Sequence, residues 1–152
     1  AFLMRGELPA VTALSFILSQ VAGGVCGVWL THLMFDQPIL QLSQTSRTGL
    51  NIWCSEVFAT FGLLLVVFGG LAENPKAIPA IVGLYITGAY WFTSSTSFAN
   101  PAVSIARSLS DTFSGISPTH VPMFILCQAI GLAISLVVIK FVFTAKTKNL
   151  AK

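Results

Sequence analysis

Between Thr93 and Leu109 the chain reads TSSTSFANPAVSIARSL. Asn100 before Pro101 is a helix-start signature, a capping side chain followed by proline at the first helical position. Val103, Ala106 and Leu109 then recur at helical spacing, and Gly115 and Pro118 supply the next stop signals. The spacing predicts a helix of about three turns, over 101–111, which is too short to cross a bilayer. Its approach is polar and small, so the backbone enters the helix irregularly. From these residues alone two placements stay open. One is a re-entrant element, tolerated at membrane depth where it packs in protein or lines a wet cavity, and the other is a loop lying on the membrane surface.

The flanking sequence decides the solvent. Of 152 residues, 55% are hydrophobic and only 9% charged, with a mean hydropathy of +0.84. A soluble domain carries roughly 25% charged residues, and a chain of this size has too little interior to hide so much apolar surface. Disorder is excluded by the same hydrophobicity. Four apolar stretches are expected to span a membrane, at about 9–35, 50–71, 78–98 and 121–143, the third already fading around Phe92. Polar loops separate them, Asp36 to Thr48 and the Glu73-Asn74-Pro75-Lys76 turn. The whole reads as a single membrane domain set in a lipid bilayer.

Charge and cysteine usage narrow the function. The net charge of +3 comes from scattered residues, four of them (Lys140, Lys146, Lys148 and Lys152) at the C-terminal end, so no nucleic-acid patch is formed. A cluster there marks a cytoplasmic tail under the positive-inside rule. Cys26, Cys54 and Cys127 lie singly in apolar runs without metal-ligand spacing and read as small buried hydrophobes. His32 and His120, near span ends and far apart, read as interfacial residues without partners. No nucleophile–base pair, phosphate loop or metal cluster supports an enzyme, and no cofactor is implied. A coupled transporter wants ionisable groups along its path, and Glu56 is the one acid deep in a span.

An internal repeat joins the first and fourth spans. FILSQVAG over 16–23 matches FILCQAIG over 124–131, sharing F-I-L-x-Q-x-x-G. Gly27 continues the first copy at helical spacing and Ser135 the second, giving small faces for close helix contact. Repeats between halves are a mark of transporter and channel folds.

With Asn100-Pro101-Ala102, the Glu56-x-x-x-Thr60-Phe61 pattern and the repeated Gln-x-x-Gly, the chain resembles the major intrinsic protein family, the aquaporins and aquaglyceroporins, over essentially its whole length. The resemblance implies an all-α membrane protein, a partial aquaporin-like helical bundle with four transmembrane helices and one re-entrant half-helix. Family members have six spans and two half-helices, each beginning at an Asn-Pro-Ala motif. Setting Ala1 against Ala106 puts the first asparagine about six residues before Ala1, so the chain is expected to lack the first two spans and first motif. It also implies Arg5, Lys76 and the C-terminal lysines on the cytoplasmic side, with Arg47 and Arg107 outside.

The function implied is a passive channel for small neutral solutes, homotetrameric at full length, with Asn100 donating to the permeating molecule and Pro101 and Ala102 shaping the half-helix start. A non-conducting truncated remnant is the alternative. Glu56 matches the glutamate that braces the backbone before the motif, and is read as support rather than a proton relay. At the outer constriction, water channels carry a histidine 12 residues before the asparagine, where this chain has Gly88. The arginine directly after the motif is replaced by Val103, and Ser97 completes the set. These replacements widen the pore toward water, glycerol-like polyols and neutral metalloids such as arsenite. Asn100 to Pro118 also resembles the bacterial branch linked to arsenic resistance, which carries the same valine. Arg107, one turn further along, is a candidate for the pore mouth, or a partner for Asp111 or a lipid headgroup.

Overall fold

A computed structural model describes the backbone of residues 1–149 and the side chains of residues 1–142. The expected cytoplasmic roles of Lys146, Lys148 and Lys152 lie outside the described side chains. Every regular element among the described residues is helical: α1 (Ala10–Met34), α2 (Leu50–Glu73), α3 (Ile78–Phe92), α4 (Pro101–Arg107) and α5 (Val121–Asn149). Single 3₁₀ turns, Pro75–Ala77 and Pro118–His120, lead into α3 and α5.

Among the described residues, three stretches are long and apolar enough to cross a membrane: Ala10–Met34, Leu50–Glu73 and Pro118–Val142. Local chemistry sets their limits. Pro9, in extended conformation, opens α1, and Asp36 at φ 52° ends the chain's helical path. Gly49 precedes α2 at φ 122°, a backbone that L side chains rarely adopt. Asn74-Pro75 stops α2 because proline disfavours the helical conformation of the residue before it.

The third apolar run departs from the expected 78–98 span. α3 has 15 residues, about 22 Å at the helical rise, and stops at Phe92. Beyond it hydroxyls compete with the helix for backbone groups. Thr93 Oγ1 donates to Ala89 O, the Ser95 N–H donates to Ser55 Oγ, and Ser94 Oγ donates to Asn51 O. α4 is likewise shorter than the expected 101–111. After Arg107 the backbone tightens into i→i−3 bonds, from Ser108 to Ile105, Leu109 to Ala106 and Ser110 to Arg107.

The chain forms two compact units. The first joins Ala1–Thr48 with Asn100–Ile125; the second joins Gly49–Ala99 with the chain from Leu126 onward. In the first, α4 packs on α1 where Gly24 permits close approach, since a Cβ there would stand 3.1 Å from Ala106 Cβ and 3.6 Å from Ala102 O. A Cβ at the repeat's Gly23 or Gly27 would meet nothing within 4 Å. Along α1 only Ala13 and His32 are buried, and Val11, Leu14, Ile17 and Leu18 present an exposed apolar surface suited to lipid.

In the second unit α2 packs on α3, with Tyr85 Oη donating to Ala59 O at 2.9 Å. The repeat's second glycine, Gly131, lies so close to α2 that a Cβ would fall 2.5 Å from Val57 O. Ser135 is fully buried beside it in the same helix. The cysteines divide: Cys127 is buried, whereas Cys26 and Cys54 lie exposed on helix surfaces, contrary to the expectation for all three.

Candidate pore-lining site

In the first unit, Asn100 caps α4. Its φ of −155° and ψ of 126° are extended, and its Oδ1 accepts from the Ala102 N–H at 2.8 Å. Pro101 takes the first helical position, where no N–H is needed. With Oδ1 used by the cap, the side chain keeps its Nδ2 hydrogens as donors. Asn100 lines a cavity of about 570 Å³. Ala102, Val103 and Arg107 share its wall, one face of a short helix. α1 supplies the opposite wall through Gln20, Gly24, Gly27, Val28 and Thr31. Ser110 and Ser114, from the loop after α4, also line it. Pro101 itself is exposed. The arrangement combines donors, hydroxyls and apolar walls, which is suited to passing polar uncharged molecules.

Of the residues singled out in the sequence, the structure brings Asn100, Ala102, Val103 and Arg107 to this one cavity. Gly88, Ser97 and Glu56 belong to the second unit. Gly88 sits on α3, with the Phe92 ring 3.5 Å from where its Cβ would be. Ser97 is buried, and its Oγ has no partner among the described residues.

Ser97 lies in a strained approach. Thr96, Ser97 and Ala99 have φ of 60°, 48° and 48°, left-handed values that carry a steric cost for residues with a Cβ. Glu56 holds that segment. Its Oε1 accepts from the Ala99 N–H at 2.6 Å and its Oε2 from the Phe98 N–H at 3.2 Å. Gln128 Nε2 donates to Oε1 at 2.7 Å. The carboxylate is fully buried and serves three donors, the arrangement required of a polar group away from water.

Several residues in these networks escaped the sequence reading. Gln20 and Gln128 occupy equivalent places in the repeat, yet one lines the cavity and the other binds Glu56. Their repeat was visible; the division of labour was not. His32, read as interfacial and unpartnered, is buried, with hydrogen bonds to Ile39 O and Ser110 Oγ. His120 also has a partner, the Arg47 N–H. Arg47 is itself buried, its Nε donating to Gly115 O at 2.6 Å and its terminal nitrogen to Phe113 O at 2.9 Å. Asp111 ties loop to loop, its carboxylate accepting from the Gln44 N–H at 2.7 Å and its own N–H donating to Gln41.

Over 140 residues, 92% of this chain, the sequence is 45% identical to the aquaglyceroporin AqpS of Rhizobium meliloti (strain 1021). The chain spans 60% of the length of that relative. No family model matches it, and no solved structure does. The apolar helices and this likeness together make it a multi-pass membrane protein. Over those 140 residues the chain is similar to an aquaglyceroporin, the class its Asn-Pro-Ala motif resembles.

Proposed function

We propose that the chain forms part of a passive transmembrane channel for small neutral solutes: water, glycerol-like polyols and undissociated metalloid acids such as arsenite. The observation that carries this reading is Asn100, whose cap bond to Ala102 leaves its amide hydrogens as donors in a cavity of about 570 Å³. A permeating hydroxyl accepts from that amide while it sheds water. Val103 lines the same cavity, so at the place of a fixed cation the wall is apolar. An apolar side chain there makes the path less polar than a water-selective one. Arg107, further along α4, stands at the mouth. The likeness to an aquaglyceroporin supports the solute class.

In this reading α4 is a re-entrant half-helix, and α3 with its leading 3₁₀ turn makes a fourth crossing. Glu56 braces the backbone entering α4. The C-terminus lies on the cytoplasmic side of the cell membrane with Arg5 and Lys76, and the full channel is a homotetramer in the lipid bilayer. Stopped-flow measurement on proteoliposomes tests the transport. Water, glycerol and arsenite are expected to enter faster than into empty vesicles, with Val103→Arg slowing glycerol and arsenite more than water. Glycerol and arsenite entry no faster than into empty vesicles refutes the reading.

A further inference from the structure

A chain of hydrogen bonds runs from the cavity wall to a buried histidine. His32, in the last turn of α1, is 2% exposed. Its Nδ1 lies 3.1 Å from Ile39 O and its Nε2 lies 3.0 Å from Ser110 Oγ. Ser110 Oγ is 3.1 Å from Thr112 Oγ1, which is 3.0 Å from Ser114 Oγ. Ser110 and Ser114 both line the cavity, and all of these residues lie in the first unit.

One carbonyl sets the direction of every bond. Ile39 O accepts only, so Nδ1 carries a hydrogen. In the tautomer that carries that hydrogen on Nδ1, Nε2 is the acceptor facing Ser110 Oγ. Ser110 therefore gives its single hydroxyl hydrogen to Nε2. Its oxygen then accepts from Thr112, and Thr112 Oγ1 accepts from Ser114. Both cavity serines have their hydrogens turned away from the solute, and what they offer it is lone pairs. Asn100, on the same cavity, offers donors.

We propose that His32 is a positioning residue for solute selection: acting through Ser110, Thr112 and Ser114, it holds this part of the cavity wall as a hydrogen-bond acceptor and so favours solutes bearing several hydroxyl donors. The proposal rests on the channel reading above. A polyol or an undissociated oxyacid meets acceptors at the serines and donors at Asn100, and exchanges several water bonds at once. A water molecule depends on any one of these bonds less.

The test compares glycerol and water permeability of the full chain in proteoliposomes for the wild type, His32→Leu, His32→Gln, Ser110→Ala and the His32→Leu/Ser110→Ala double variant. Loss of the directed acceptor is expected to lower the glycerol-to-water permeability ratio roughly 2- to 10-fold in His32→Leu. His32→Gln, whose carbonyl oxygen takes the place of Nε2, restores most of that ratio. The double variant falls no further than Ser110→Ala alone, because both changes break one chain. Unchanged ratios, or single effects that multiply, overturn the proposal and leave the channel reading standing. Should His32→Leu not fold, His32→Asn takes its place: its amide replaces Nδ1 but is too short to reach Ser110. A lowered ratio in His32→Asn with recovery in His32→Gln then supports the proposal, and equal ratios overturn it. Wild-type glycerol entry equal to that of empty vesicles overturns the channel reading, and this proposal with it.

Discussion

Glu56→Gln is expected to remove folded protein rather than the transport capacity of the molecules that remain. In the native arrangement two carboxylate oxygens receive three N–H groups, from Phe98, Ala99 and Gln128. A glutamine amide offers one oxygen and one NH₂. If its oxygen keeps the Ala99 and Gln128 bonds, its NH₂ confronts the Phe98 N–H, donor against donor. A buried N–H without an acceptor costs about 1–3 kcal/mol, and the two surviving bonds each lose roughly 1 kcal/mol of charge assistance. The sum, about 3–5 kcal/mol, is a large share of the 5–15 kcal/mol that typically holds a protein folded. It also falls on a segment where Ser97 and Ala99 already sit at positive φ. The assay is the yield of monodisperse protein after detergent extraction, its thermal unfolding midpoint, and flux per molecule in vesicles. A fall in yield and midpoint with near-native flux per molecule fits the reasoning. Wild-type yield and midpoint with abolished flux refutes it, and makes Glu56 a participant in conduction.

Gly49→Ala places a Cβ on a residue at φ 122° and is expected to lower stability by about 1–2 kcal/mol, read as a drop in the thermal midpoint; no drop means that the start of α2 relaxes freely. Gly24→Leu drives a branched side chain into Ala106 and the Ala102 carbonyl, so α4 is pushed off α1. The expected cost is about 1–3 kcal/mol with reduced glycerol flux, and unchanged flux shows that this packing does not shape the path. Arg47→Met removes charged donors from Gly115 O and Phe113 O. A loss of roughly 2–4 kcal/mol is expected from the thermal midpoint, whereas a neutral result makes that clamp redundant.

Much of the helical architecture is local and was therefore legible. The capping amide of Asn100 and the fixed φ of Pro101 specify the start of α4 within three residues. Where helices stop was less legible, because the competitor for the backbone is distant in sequence. α3 gives way at Thr93 where Ser55 and Asn51, some 40 residues earlier, bind the serines that follow. α4 gives way at Arg107 where the loop around Ser43 reaches over, its N–H donating to Ser108 O. Histidine placement shows the same limit. Nothing near His32 in the sequence announces Ser110, 78 residues away.

Composition and hydrophobic run length by themselves determined that this is a helical membrane protein, since few charges and long apolar runs leave no other way to satisfy the backbone in lipid. A short motif and its spacing carried the family resemblance, because Asn100, Pro101 and Glu56 are recognised by identity and order. Only the tertiary structure decided what those residues meet: that Glu56 receives the N–H groups of Phe98 and Ala99, that Gln20 and Gln128 part company, and that a buried His32 is hydrogen-bonded to Ser110. The physical reason is that hydrogen-bond partners in this fold are chosen by proximity across helices and loops, and proximity is not written in any window of the chain.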